Sequence, residues 1–181
     1  METERQLLEA IRNGDKTATR RLYDRFSGYT MAIARRYIPE REDVRDVMQD
    51  SFVSILTSLN QFSYRGEGSL KSWVARIVVN KALDWVKERE QQMFTSEMPL
   101  EAEEEELPDM EGVPPDILNA MIGRLPAGCR LVLNLYVFDQ LSHKEIAHRL
   151  GIKEGTSASQ LFHAKQLLAV MIKKYLDSQR I

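Results

Sequence analysis

Apolar residues recur every three or four positions in four stretches of the chain, which is the spacing of one face of an α-helix. The stretches span residues 22–37, 44–59, 70–85 and 161–175. Pro39 predicts the end of the first helix, and Gly66 with Gly68 predicts a loop before the third. Signals for strands are weak. The pattern predicts helical bundles with these stripes in their cores, including Tyr29 and Leu56.

Charge divides the chain into three parts, although 25 Lys and Arg residues against 27 Asp and Glu residues leave a net charge of only −2. Residues 1–90 carry a net charge of +2, and residues 116–181 carry +4. Residues 91–115 hold eight acidic side chains, four prolines and no basic side chain. A strip so charged and so rich in helix breakers cannot bury a core. We therefore predict an all-α fold of two small helical domains, 1–92 and 116–181, joined by an acidic flexible linker over 93–115.

Length and cysteine usage exclude several classes of protein. The single Cys129 among 181 residues cannot form an internal disulfide. No apolar run approaches the roughly 20 residues that a transmembrane helix needs. The first ten residues are charged and lack the apolar segment of a secretory signal. We expect a cytoplasmic protein without membrane insertion.

Residues 142–165 carry the pattern of a helix-turn-helix. Ser142 and Glu145 form a capping box at a helix start, Ala147 allows a close helix approach, and Gly151 supplies the turn. The second helix is expected to turn four polar side chains outward: Ser157, Ser159, Gln160 and His163. This geometry places a recognition helix in the DNA major groove. An αα-hairpin that binds no nucleic acid stays open as the alternative.

Residues 65–89 combine six basic side chains with two tryptophans. Arg76 and Asn80 lie four residues apart and share a helix face; both residue types read base edges. Trp73 and Trp85 fit either the buried stripe or a platform on which unpaired bases stack. The segment indicates nucleic-acid binding.

The preceding helix carries a row of acidic and amide side chains around its apolar stripe: Asp43, Asp46, Gln49 and Asp50. Such a row is either a solvated face or a docking face for a basic partner. A metal site is the least favoured interpretation, because hard cations take convergent oxygen ligands from a loop.

Three segments in this order resemble an extracytoplasmic-function sigma factor of the sigma-70 family. DVRDVMQDSF at 43–52 resembles the segment that binds the RNA polymerase clamp, and GSLKSWVARIVVNKALD at 68–84 resembles the promoter −10 segment. Residues 124–168 resemble the domain that reads the −35 element. The resemblance implies an alternative sigma factor that binds core RNA polymerase and directs transcription initiation at promoters with specific −10 and −35 elements.

The resemblance also assigns residues to each interface. The core polymerase contacts would be Asp43, Asp46, Val47, Gln49, Asp50 and Phe52. The −10 contacts would be Arg65, Lys71, Ser72, Trp73, Arg76 and Asn80. The −35 contacts would be Lys144, Thr156, Ser157, Ser159, Gln160, His163 and Lys165. Family members often carry Lys or Arg where this chain has Ala158, Gln160 and His163, so the resemblance fixes the identity of the domain but not the strength or sequence of its −35 reading.

The resemblance further implies an inhibitory anti-sigma partner and a monomer when free. No catalytic constellation, metal-ligand spacing or cofactor motif is evident, so we expect no enzymatic activity, metal or cofactor. Two other functions stay open. One is a free-standing dimeric helix-turn-helix regulator, which would protect a palindrome without polymerase. The other is an interaction protein that sequesters a partner without binding DNA.

Overall fold

The computed structural model describes residues 2–89 and 112–179, which form eight α-helices, one short 3-10 turn at Leu59–Gln61 and no strand. The prediction of an all-α fold is confirmed. The helices are α1 (Glu4–Arg12), α2 (Ala18–Tyr37), α3 (Arg41–Ser58), α4 (Ser69–Arg89), α5 (Pro115–Gly123), α6 (Ala127–Val137), α7 (His143–Leu150) and α8 (Glu154–Gln179).

The chain divides into two compact units, Met1–Trp85 (unit 1) and Val86–Ile181 (unit 2), and the division falls inside α4. The domain limits 1–92 and 116–181 stay predictions. The predicted linker, 93–115, lies outside the described residues up to residue 111. None of the described helices is both long enough and apolar enough to cross a membrane.

The predicted helix boundaries follow from local backbone chemistry. α2 ends at Tyr37, and Ile38 is extended because a residue before proline avoids the helical region. Gly66 and Gly68 take φ values of +121° and +88° in the loop before α4, a region that glycine enters without steric cost.

The core of unit 1 is built where α2 packs against α1 and α3. Leu22, Phe26 and Ile33 of α2 are buried as predicted, each stabilising the fold by roughly 1.5–3 kcal/mol through burial. The expectation that Tyr29 and Leu56 lie in the core is wrong, because their side chains remain 38% and 39% exposed. Both residues sit at the edge of their stripe, where the helix surface turns towards solvent.

Unit 2 is built around α8, which packs against α5, α6 and α7. α6 is buried along most of its length, with every residue from Ala127 to Leu135 buried. Arg130, only 4% exposed, donates from Nη1 to the carbonyl oxygens of Leu125 at 2.9 Å and Gly123 at 3.3 Å. These bonds offset the cost of burying a cation between the ends of two helices.

Candidate nucleic-acid and protein interfaces

The outer face of α3 combines acidic and apolar side chains. Asp46, Gln49 and Asp50 are exposed, and Asp43 is half-buried, so the acidic row faces solvent. Val53 and Leu56 continue the same surface, with 56% and 39% of their side chains exposed. Helical spacing puts Asp46, Gln49, Val53 and Leu56 on one side of α3.

Val47 and Phe52 do not belong to this surface. They are 3% and 7% exposed and form part of the core, so neither side chain is presented on this face, and their assignment to the polymerase contact stays a prediction. The ring of Phe52 instead supports Tyr23 of α2, with ring centroids 4.7 Å apart. Tyr23 is 51% exposed and adds an aromatic ring beside the acidic and apolar row. Sequence reasoning missed Tyr23, Val53 and Leu56, although exposed apolar residues beside a charged row signal an interface.

A polar stripe runs along the first half of α4. Ser72, Arg76 and Asn80 follow one another at intervals of four and are all exposed, so they share one face of the helix. Lys71 and Arg65 are exposed as well, and the Lys71 ammonium lies 4.6 Å from the ring centre of Tyr29. The exposed stripe consists of residue types that can read bases, and the assignment of these residues to −10 DNA stays a prediction.

Trp73 is neither a fully buried core residue nor a fully exposed platform on which bases could stack. Its ring packs on Phe62 with centroids 5.0 Å apart, and its side chain is half-buried. Trp85 is half-buried too. Trp73 therefore anchors the 62–68 loop to α4 while keeping part of its ring accessible.

The helix-turn-helix forms as predicted from Ser142 onward. Ser142 and Glu145 make both bonds of the capping box, and hydrogen bonds from the Ser142 hydroxyl and then its amide hold the pKa of Glu145 below its usual value. Gly151 ends α7 with a φ of +69°, and the Ile152 amide donates back to Ala147 O at 3.0 Å. α7 packs against α8.

Three of the four polar side chains expected to point outward from α8 are buried. Ser157, Gln160 and His163 are 0%, 7% and 3% exposed, so the prediction of their orientation is wrong. Ser157 Oγ lies 2.9 Å from Nδ1 of His143, and Gln160 Oε1 accepts from the thiol of Cys129 at 3.1 Å. These two side chains therefore tie α8 to α7 and α6.

The exposed surface of the helix-turn-helix is only mildly basic. Lys144, Lys153 and Lys165 are exposed, and so are Glu145, Glu154 and Ala158, whereas Thr156 and Ser159 are half-buried. The ring of His143 stacks on Tyr136, with centroids 4.9 Å apart, and so is partly engaged. Few exposed cations mean few phosphate contacts and a weak free-standing affinity for DNA.

No cluster of metal-ligating side chains occurs within residues 2–89 and 112–179. Cys129 is 1% exposed, and burial raises the pKa of its thiol to about 11, so the thiol is protonated at neutral pH. A protonated, buried thiol is a poor nucleophile and a poor metal ligand. Its place in the fold is structural.

Comparison with known proteins matches both units to one family. The family model "Sigma-70 region 2" matches residues 22–92, and "Sigma-70, region 4" matches residues 116–168; the two ranges together span more than half of the chain. The chain is 26% identical over 179 residues to the ECF RNA polymerase sigma-E factor of Haemophilus influenzae, covering 92% of this chain and 93% of that protein. It is 28% identical to the protein of the same name from Escherichia coli K12, covering 92% of each.

A solved structure shares the fold. The structure of CnrH in complex with the cytosolic domain of CnrY superposes with a TM-score of 0.50 at 22% identity, covering 96% of this chain and 99% of that one.

Proposed function

Since this chain belongs to the extracytoplasmic-function group of the sigma-70 family and is an alternative sigma factor in transcription initiation, we propose which of its surfaces binds polymerase and which bind promoter DNA. Unit 1 binds core RNA polymerase and the −10 element, and unit 2 binds the −35 element. The observation that carries this division is the order of regions 2 and 4 along the chain, with an exposed polar stripe in the first and a helix-turn-helix in the second.

The polymerase contact is the outer face of α3, flanked by Tyr23. Asp46, Gln49 and Asp50 supply charge and hydrogen bonds, while Val53 and Leu56 supply apolar area. An apolar patch with a polar rim is the usual anatomy of a protein interface. Asp43 lies at the edge of this face. The complementary surface on the polymerase is a basic one with apolar pockets.

The −10 contact is the polar stripe of α4 together with the loop before it. Arg76 and Asn80 read base edges, Ser72 and Lys71 hold the backbone of the melted strand, and Arg65 extends the surface into the loop. The accessible part of the Trp73 ring offers a stacking surface for an unpaired base.

The −35 contact is the exposed rim of the helix-turn-helix. Lys144 and Lys165 contact phosphates, and Thr156 and Ser159 face the major groove beside Ala158. This set is too sparse for strong binding alone. Mounting both units on polymerase raises the effective concentration of each at its promoter element, which compensates for the weak individual contacts.

Run-off transcription tests the division of work. Core polymerase is combined with the full chain or its Arg76→Ala/Asn80→Ala variant on a library of promoters with randomised −10 and −35 regions. We expect new start sites with the wild type and few with the variant. Transcripts identical to those of core polymerase alone would refute the proposal.

A partner that covers the α3 face when the protein is idle follows from the same surface. The exposed Tyr23, Val53 and Leu56 need cover outside the polymerase complex. The solved structure of similar fold is that of CnrH in complex with the cytosolic domain of CnrY, so a chain of this fold binds a second protein there. We propose an anti-sigma partner on this face, in a cytoplasmic protein that is monomeric when released.

The comparisons do not favour a dimeric regulator, and the proposed function needs no catalytic group, metal or cofactor.

A further inference from the structure

The start of α4 lacks a cap of its own. Gly68, the residue before the helix, has no side chain to accept hydrogen bonds from the first amides, and its φ of +88° is not that of an ordinary cap residue. Of the four amides at the start of α4, residues 68–71, only that of Ser69 donates a hydrogen bond to a nearby residue, to Gly66 O at 3.1 Å. A helix start next to a proposed DNA-reading stripe therefore depends on another part of the chain.

Glu4, at the start of α1, supplies the missing cap. Its carboxylate is buried, with the residue only 2% exposed. Oε2 accepts from the amides of Gly68 at 2.9 Å and Leu70 at 3.0 Å, and Oε1 accepts from the amide of Lys71 at 3.0 Å. Three backbone amides and the positive end of the helix dipole offset the cost of burying this charge.

The 62–68 loop also bonds to the start of α1. The carboxylate of Glu67 accepts from the amide of Glu4 at 3.2 and 3.3 Å, from Arg25 Nη2 at 3.2 Å and from the Tyr64 hydroxyl at 3.3 Å. Desolvation, and then the Glu67 carboxylate, raise the pKa of Tyr64 and keep that hydroxyl a donor. At the other end of the loop, Arg12 Nη2 donates to Phe62 O at 2.6 Å. The first and last residues of α1 thus hold both ends of the 62–68 loop.

We propose that Glu4 is a positioning residue for −10 recognition. It touches no DNA and acts through the backbone of Gly68, Leu70 and Lys71, fixing the loop that presents Arg65 and the first turn of α4 that presents Lys71 to the melted strand. A loop held before DNA arrives loses less conformational entropy on binding and accepts fewer alternative bases. This inference rests on the proposed −10 role of α4 and extends it to α1.

The test measures base preference rather than activity alone. Holoenzyme is assembled from core polymerase and each full-length variant, and transcripts from the promoter library with a randomised −10 region are sequenced. For Glu4→Gln, we expect the preference at the bases beside the loop to fall by about fivefold to tenfold, the range that follows from losing charge-assisted hydrogen bonds. Core polymerase affinity and −35 preference should not change.

Three further variants separate positioning from stability. Glu9→Gln removes an exposed charge from the same helix and should match the wild type. Leu8→Ala destabilises the α1 core and removes no hydrogen bond to the loop, so it should lower total transcription but keep the base preference. Glu4→Asp keeps a shorter carboxylate and should restore part of the preference.

Glu67→Gln is the second variant, to be used if Glu4→Gln fails to fold. Because the Glu67 side chain is 55% exposed, its replacement should cost little stability. It should lower preference at the same bases by about twofold to threefold, as expected for a partly exposed bond. A folded Glu4→Gln with wild-type preferences overturns the proposal, and so does a wild-type profile for Glu67→Gln where Glu4→Gln does not fold. A wild type that starts no library transcript beyond core polymerase would instead refute the proposed function itself.

Discussion

The polar residues of α4 in unit 1 and of α8 in unit 2 have opposite orientations. Ser72, Arg76 and Asn80 are exposed in a continuous stripe, whereas Ser157 and Gln160 turn inward and bond to neighbouring helices. A polar residue on a helix is therefore no evidence of a surface until its position relative to the apolar stripe is known. If both helices contact promoter DNA as we propose, we expect promoter selectivity to rest mainly on unit 1.

The largest expected effect separates core from surface on α3. Phe52→Ala removes a ring that is 7% exposed and should lower the free energy of unfolding by about 3–5 kcal/mol. Val53→Ala, one residue along, should change that free energy by less than about 0.5 kcal/mol. It should nevertheless weaken polymerase binding by roughly tenfold, as for a residue at an interface. Chemical denaturation and polymerase titration provide the two measurements; equal stability losses would contradict the assignment.

Matched double truncations compare the DNA surfaces of the two units. Arg76→Ala/Asn80→Ala should lower promoter-dependent transcription by about 30-fold to 100-fold, because each base-reading contact contributes roughly 1–3 kcal/mol. Thr156→Ala/Ser159→Ala should lower it by only about threefold, since these side chains are half-buried. Run-off transcription on one selected promoter measures both. A larger loss for the α8 variant would reverse the ranking of the units.

A smaller effect tests whether His163 reads DNA. Among the described residues, no group lies within hydrogen-bond reach of its buried Nε2. Replacing an unsatisfied buried polar group by an apolar one of similar shape is neutral or stabilising. We expect His163→Phe to leave −35 preference unchanged and to raise the free energy of unfolding by up to about 1 kcal/mol. A drop in −35 preference would restore the role that the sequence predicted for this residue.

The smallest effect compares the capping carboxylates of the two units. Hydrogen bonds from the Thr17 hydroxyl, the Thr17 amide and Arg21 lower the pKa of Asp15 to about 2. Because the folded pKa lies below the unfolded value, this contribution to stability is complete above about pH 4 and is lost as the pH falls towards 2. Thr17→Ala should raise the pKa of Asp15 towards its ordinary value, as Ser142→Ala should for Glu145 in unit 2. NMR titration of the carboxyl carbons measures both, and an unchanged pKa would show that the hydroxyls do not carry the effect.

Local signals in the sequence predicted the fold well. The capping box at Ser142, the turn at Gly151 and the loop glycines before α4 each depend on neighbouring residues, so their chemistry is readable along the chain. The contact from the Glu4 carboxylate to the backbone amides within 68–71 spans more than 60 residues and leaves no local pattern. Only the fold brings that carboxylate to a helix start that lacks a cap.

Helical spacing decides which candidate residues are buried. Val47 and Phe52 belong to the predicted apolar stripe and lie in the core, as that stripe predicts. Ser157, Gln160, Leu161, Ala164 and Leu168 follow the spacing of one buried face, but the polar character of the first two suggested an outward orientation. In both helices the spacing was a better guide to burial than the residue type.

The central claim is that the exposed face of α3 binds core RNA polymerase, and co-elution on a sizing column tests it most directly. The full chain, an Asp46→Arg/Gln49→Ala variant and a Glu9→Arg control are each mixed with core polymerase. Glu9 is exposed on α1 and pairs only at the surface with Arg5, so its reversal changes net charge as Asp46→Arg does and costs little stability. The account predicts co-elution of the wild type and the control and loss of the α3 variant. A folded wild type that elutes apart from the polymerase, or an α3 variant that binds as the wild type does, would contradict it.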